Sequence, residues 1–533
     1  MDRWKSASLA CVVIWAGWVV DAAAAVPQAG PVDADFAGVD QTAQAYLAKQ
    51  GTPGVSVVVA YGDRIVYAQG YGYANRETQL PTSPWLEYRL ASSTKTLTAT
   101  AVMRLVEQGK VQLDGKAWDY VAAYMGKEPF DARVKSITVR QLLTFSWGMD
   151  RALSREYNGG WVIDGNGKVL KTARELLRYR LLNLPLDFAP GARYSYNGGG
   201  YSWLQLIAEL VDGRPLDRQL TEMLGPEPLS SGRFRFSTTL PSALTPAEPR
   251  YYDYPGASRS PPVPDLYPNP APASVPLPDG SFVLEAYGGG GGLVASALTY
   301  TRFIQRLQGI RQPALLKPET WTLMRTPQTL PDGTPYVGLG VQTYPAYNTD
   351  YWVNFNGAFA GTRTAWTSTP RSAGGPRVTL VALVNGTFAG ATEGNRAEDI
   401  SAELMAPLLA AVDRIGYVKV AAKPEIKGDA LIARGTSTED FFSDLLFDWG
   451  QRLFSSLFPD VASSGLFEGY RFRAYPSTNT FLGTKAGHVW LYQPGVSGAI
   501  NDLGAMVDYL PQAIRDTDAL KAAASAAPAP ATR

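Results

Sequence analysis

Histidine and cysteine are almost missing from this chain of 533 residues: there is one of each, His488 and Cys11. That scarcity excludes zinc centres assembled from His and Cys, which draw several such ligands to one ion, and leaves only a site of carboxylates open to a metal. It also narrows nucleophilic catalysis. A Ser-His-Asp arrangement has His488 as its sole imidazole, and Gly487-His488-Val489-Trp490 reads as part of an accessory strand, where a structural or surface histidine is the plainer reading. No G-x-S-x-G and no G-x-x-x-x-G-K-[ST] segment occurs, which argues against lipase-type elbows and nucleotide loops. Neither sign of charge dominates: 49 Lys+Arg against 48 Asp+Glu leave +1, so no field gathers nucleic acid over the whole surface. A hydrolase with this composition needs a base other than imidazole, and the sequence calls for no cofactor.

What is present describes a folded chain. Apolar residues make up 45% and charged residues 18%, and 13 Trp with 28 Tyr point to aromatic-lined clefts. Residues 1–5 are cationic, 7–20 are apolar and 22–25 are small, the pattern of a secretory signal peptide over 1–25. The apolar run is shorter than the roughly 20 residues that span a bilayer, so an uncleaved anchor is the weaker reading. Lipidation at Cys11 is a minor alternative, because Ser8 stands three positions before it. Cleavage after Ala25 leaves a mature chain with no cysteine, hence no disulfide, and no integral membrane span, in a periplasmic or secreted location.

Residues 54–59 and 65–70, joined through Tyr61-Gly62-Asp63-Arg64, read as a hairpin. Leu97, Ala101, Val102, Leu105 and Val106 predict a buried helix after Ser92-Ser93, with Gly109 as its stop. Residues 137–143 and 203–211 read as two further helices. Twelve of the 39 prolines fall within 241–278, which predicts a long excursion without regular structure, either bordering the site or a plain insertion. The glycine run 288–292 serves close backbone approach or a hinge. Residues 363–368 and 378–385 are strand-like, and 399–412 reads as a terminal helix. A small accessory module is expected over 425–515, with an aromatic amphipathic helix at 438–457 and a hairpin at 470–492. The Ala/Pro-rich end, 522–533, reads as a disordered tail.

Ser92-Ser93-Thr94-Lys95 is the chain's one S-x-x-K. Its serine opens a buried helix, and residues three apart share a helix face, so the Lys95 amine is expected beside the Ser92 hydroxyl. Burial favours the neutral amine, which can then accept a proton without any histidine. The helix start offers partial positive charge to an oxyanion. A capping serine followed by an ordinary lysine is the bland alternative.

The stretch Tyr88-Arg89-Leu90-Ala91-Ser92-Ser93-Thr94-Lys95-Thr96, with Gly109-Lys110-Val111-Gln112-Leu113-Asp114 after it, resembles the serine β-lactamase and penicillin-binding-protein-like hydrolases of the class C, peptidase S12-like type. Further similarity lies in Pro53-Gly54-Val55, Thr138-Val139-Arg140-Gln141-Leu142-Leu143-Thr144, Pro190-Gly191-Ala192-Arg193, Gly292-Leu293-Val294-Ala295-Ser296 and Val381-Ala382-Leu383-Val384-Asn385-Gly386. The resemblance covers residues 35–415 and implies an α/β (α+β) β-lactamase/transpeptidase-like fold, an antiparallel sheet flanked by helices with a helical subdomain.

The family's Tyr-x-Asn motif falls on Tyr196-Asn197-Gly198, with glycine in place of the asparagine. The resemblance implies Tyr196 as proton shuttle. Tyr194, or a one-residue shift that gives Asn197 the amide role, is the competing assignment. The third motif, usually Lys-Thr-Gly or His-x-Gly, falls on Phe355-Asn356-Gly357-Ala358 and has no cation. By resemblance the Ser92 and Ala358 N–H groups form the oxyanion hole, and Phe355, Asn356, Gly357 and Asn197 touch substrate. An aromatic residue followed by x-Gly is similar to the β-lactamase-like carboxylesterases, which implies neutral ester or amide substrates. Three readings stay open: an exported carboxylesterase-like serine hydrolase, a D-amino-acid peptidase or β-lactamase, and an idle envelope-binding protein that keeps the fold. The partner expected for either enzyme reading is a small ester, amide or peptide.

Overall fold

Six consecutive residues from Val55 to Ala60, followed by Gly62-Asp63 and a second strand, build the middle of an antiparallel sheet in this computed structural model. The structure describes residues 27–426 except 152–161, 228–232, 246, 254–257, 261, 265, 268–269, 335, 347–349, 372–374 and 388–399; beyond 426 it describes Ser443, Phe447 and, with short breaks, 460–505. The expected leader (1–25) and tail (522–533) lie outside these residues, as does most of the helix expected at 438–457.

The main elements are β1 (Gln28–Ala29), α1 (Ala37–Gln50), β2 (Gly54–Tyr61), β3 (Arg64–Asn75), β4 (Leu80–Pro81), α2 (Thr94–Glu107), α3 (Val139–Leu143), α4 (Gly199–Asp212), α5 (Ala297–Leu307), β5 (Gln342–Pro345), β6 (Tyr351–Phe359), β7 (Thr362–Pro370), β8 (Arg377–Val384) and α6 (Ala406–Ile415). The sheet runs β1-β3-β2-β8-β7-β6-β5, with β4 on β3, and every pairing is antiparallel. Alternation sends Val57, Val59, Leu380 and Ala382 to one face, where they pack with Val39, Ala43, Leu408 and Val412 of α1 and α6. The opposite residues, Val58, Val381, Trp366 and Phe355, join Leu97, Phe303 and Ile304 of α2 and α5.

Helix α2 is buried all round from Thr94 to Met103. Each fully buried side chain such as Leu97, Val102 or Met103 contributes about 1.5–3 kcal/mol against exposure, so the start of α2 is fixed from within the core. Just before it, Glu87–Arg89 pairs with Leu293–Ser296, which also pairs with Arg235–Phe236. This small sheet brings the glycine run, whose Leu284–Gly290 is a 3-10 segment, against the start of α2.

Several expectations change in extent. The helix expected from 137 is the five-residue α3, opened by a reciprocal Thr138–Gln141 capping box and followed by Phe145 at φ +56°. Helix α4 begins four residues earlier than Trp203. The terminal helix opens as a π-turn at Ser401–Met405 before α6. The proline-rich stretch is not wholly irregular: Ser258–Arg259 pairs with Val275–Pro276, a ladder so short that proline's missing N–H does not break it. The expected C-terminal hairpin is part of a five-stranded antiparallel sheet, β9 (Asp460–Val461), β10 (Arg471–Tyr475), β11 (Thr480–Lys485), β12 (His488–Tyr492) and β13 (Ile500–Ala505), in that order. His488 belongs to it, with Nδ1 2.8 Å from Asp502 Oδ2. Among the described residues no helix is long and apolar enough to cross a membrane.

Candidate active site

Ser92 occupies the single turn Ala91–Ser93 that feeds α2. Three bonds clamp that turn: Leu90 N–H donates to Leu293 O at 2.8 Å, Thr364 Oγ1 of β7 donates to Leu90 O at 2.7 Å, and Tyr300 OH donates to Ser93 O at 2.8 Å. Thr364 Oγ1 also lies 3.0 Å from Ser93 Oγ. Held this way, Ala91 sits at φ +47°, a left-handed conformation that costs a non-glycine residue about 1–3 kcal/mol and turns the next side chain out of the core. Ser92 is half-buried, whereas its neighbours Ala91 and Ser93 are fully buried.

One helical turn on, Lys95 is 1% exposed. Its Nζ lies 3.2 Å from Ser92 Oγ and donates to Gly290 O at 2.5 Å. The same nitrogen is 4.9 Å from the Tyr196 ring centroid and 5.7 Å from that of Tyr201. Burial pulls the Lys95 amine below the ordinary lysine range; Tyr196, through charge and a side-chain hydrogen bond, opposes that, and the Arg151 cation adds to it. The carbonyl of Gly290 takes one N–H of the Lys95 amine and so holds the nitrogen beside Ser92.

Tyr196 packs on Phe145 at 4.7 Å between ring centroids. The competing Tyr194 also touches Phe145, at 5.8 Å, but lies against Tyr336 at 6.2 Å, and its phenol is pushed up by burial. Asn197 is fully buried, and its Oδ1 accepts the Gly199 N–H at 2.8 Å, which starts α4. Its Nδ2 has no hydrogen-bond partner among the described residues. The residue that follows, Gly198, lies against Gly290.

The other wall is the edge of β6. Strand β5 covers β6 only as far as Asn354, so among the described residues no strand pairs with β6 on that side from Phe355 onward. A two-residue turn at Ala360-Gly361 closes on the pair Phe359–Thr362, and antiparallel alternation then points the Ala358 N–H away from β7, off this edge. Gly357 meets the nucleophile's backbone: a Cβ built there would lie 2.6 Å from Ser92 N and 2.7 Å from Leu90 O. Glycine is required by that approach.

The four residues of this segment thus part company. Gly357 lies at the Ser92 turn, and Ala358 is the next residue along β6. Phe355 is 2% exposed and packed with the core beneath the sheet, so the contact expected of it with substrate is replaced by packing. Asn356 lies on the opposite face, where its Nδ2 donates to Ser401 Oγ at 3.2 Å, so it is tied to the outer helical layer.

Sequence reasoning missed Arg151, whose guanidinium carbon stands 5.3 Å from the Tyr196 ring centroid. A lone Asp-Arg after α3 carries no spacing signal that could have revealed it. It also missed a run of rings leading outward from Tyr194 through Tyr336 and Tyr344 to Trp352, with successive centroids 6.2, 5.9 and 6.2 Å apart. Tyr344 and Trp352 are exposed. Among the described residues no cluster of three or more His, Cys, Asp or Glu side chains could hold a metal ion.

Comparison with known proteins bears on the family and the fold. The chain is 31% identical over 175 residues to the putative penicillin-binding protein PbpX of Bacillus subtilis (strain 168), a match covering 33% of this chain and 39% of that one. The chain spans little more than a third of the length of the curated relatives it matches. Among solved structures, an octameric penicillin-binding protein homologue from Pyrococcus abyssi aligns at TM-score 0.51 and 20% identity, over 88% of this chain and 90% of that one. EstCE1, a hydrolase with promiscuous acyltransferase activity, aligns at TM-score 0.52 and 23% identity, over 70% and 98%. Both likenesses establish a β-lactamase/transpeptidase-like fold. The model of the Beta-lactamase family matches residues 39–403, most of the chain, and the protein belongs to that family.

Proposed function

We propose that this protein is an exported serine hydrolase that forms an acyl-enzyme on Ser92 and acts chiefly as a carboxylesterase. The observation that carries the reading is the buried Lys95 amine, 3.2 Å from a serine hydroxyl that is still reachable. Neutral Lys95 accepts the Ser92 proton as Oγ attacks the carbonyl carbon. The Ser92 and Ala358 N–H groups receive the tetrahedral oxygen. Tyr196, whose ring centroid stands 4.9 Å from the Lys95 amine, carries the proton to the departing oxygen or nitrogen, and the bond to the leaving group breaks. A water molecule then adds to the acyl carbon and gives a proton to the same pair; the bond from that carbon to Ser92 Oγ breaks, Oγ takes the proton back, and the carboxylic acid leaves. Burial of Lys95 supports its role as base, since the desolvated amine reaches its neutral form at lower pH than an exposed one. The pattern of residues 1–25 supports export.

The test is turnover of short-chain p-nitrophenyl esters, nitrocefin and D-alanyl peptides by the purified protein, with the mass of the trapped intermediate mapped to a peptide. Faster ester cleavage through an adduct on Ser92 is the expected result. Preferential cleavage of nitrocefin or D-alanyl peptides through the same adduct selects the peptidase or β-lactamase reading. No adduct from any of the three selects the idle binding protein.

A further inference from the structure

We infer that Arg151 is a specificity residue that receives a carboxylate on the leaving half of the substrate. The inference rests on the proposed roles of Ser92 and Tyr196 and adds a substrate class to them. Two basic side chains face the Tyr196 ring, and their situations differ. Lys95 is buried and engaged with Gly290 O and Ser92 Oγ. Arg151 is exposed, and among the described residues its guanidinium has no carboxylate partner, whereas nearby Arg193 is paired with Asp150. A solvent-facing guanidinium over the ring that hands the proton to the leaving atom is placed for an anion attached to that leaving group.

The backbone fixes where this cation starts. Arg151 N–H donates to Ser195 Oγ at 3.0 Å, and Ser195 stands between Tyr194 and Tyr196. The guanidinium stands over Tyr196, and two residues before that ring Tyr194 begins the aromatic run through Tyr336 and Tyr344. An apolar body along those rings with a carboxylate at Arg151 describes an ester or amide whose leaving group is an aromatic or bulky apolar acid. The third-motif segment carries no cation, and this one comes from the far side of the cleft, on a loop after α3.

The matched pair 4-acetoxybenzoate and methyl 4-acetoxybenzoate tests this, since the two esters share acyl group and ring and differ in one charge. Wild type prefers the anion, and Arg151→Gln lowers the ratio of kcat/KM (anion over methyl ester) by about tenfold, chiefly through KM for the anion. Arg151→Lys recovers part of the ratio. The wild-type preference falls as salt rises, and the salt dependence vanishes in Arg151→Gln. Because both esters share the chemistry at Lys95, any change in that amine cancels in the ratio. Equal losses on both esters, or an unchanged ratio, overturn the inference while leaving hydrolysis at Ser92 intact. Calorimetric binding of 4-hydroxybenzoate to Ser92→Ala, with and without Arg151→Gln, reads the same site without turnover: equal affinity, or no binding, overturns it.

Discussion

The two walls of the cleft do their work by different means. In the proposed mechanism the chemistry of the helical wall is carried by side chains, Ser92, Lys95 and Tyr196, gathered around one buried amine. On the sheet wall it is carried by backbone: Gly357 lets β6 reach the Ser92 N–H, and the side chains of Phe355 and Asn356 leave for the core and the outer helices. The lesson is that a site can change the side-chain letters of one wall and keep its geometry, provided the glycine and the register survive.

The comparison can be broken or sharpened by substitution. Ser92→Ala on the helical wall removes the nucleophile and lowers kcat on the preferred ester by on the order of 10⁴-fold or more. Gly357→Val on the sheet wall pushes β6 from Ser92 N and costs about 10²–10³-fold in kcat, the scale of a lost oxyanion donor, with the thermal transition measured alongside to show that the fold persists. Lys95→Ala and Tyr196→Phe each cost about 10²-fold in kcat.

Subtler is the pH profile. The rate rises with pH as Lys95 loses its proton, with an apparent pKa below the ordinary lysine range because burial disfavours the charged amine. Arg151→Gln shifts that rising limb to higher pH, since removing a neighbouring cation makes Lys95 easier to protonate. The smallest effect is expected from Asn356→Ala, within about twofold of wild type in kcat/KM, because the side chain contacts Ser401 and not the cleft. A large loss there would erase the contrast between the walls.

The helical wall was the more legible in sequence. The Ser92–Lys95 pair follows from a three-residue spacing on a helix, and apolar recurrence at Leu97, Ala101, Val102 and Leu105 locates that helix. Gly357 could be located by resemblance, but the outward turn of Ala358 depends on the register set by Ala360-Gly361, and the burial of Phe355 on which face of β6 meets α2 and α5. Such facts need the neighbouring strands. Gly290 O and Arg151 were illegible for a stronger reason: each is brought to the site from more than 40 residues away by tertiary contact, with no spacing to Ser92 that any periodicity records. The α/β architecture was readable from the hairpin at 54–70, the strands at 363–368 and 378–385, and the resemblance over 35–415. The C-terminal sheet was only partly so, since its hairpin pattern gives no count of the strands that join it.

Labelling with a fluorophosphonate, followed by mapping of the modified peptide, tests the central claim most directly. The account predicts one adduct, on Ser92, formed faster as pH rises through the Lys95 transition and strongly slowed in Lys95→Ala. An adduct on another serine, or a folded protein that takes up no label, would contradict it.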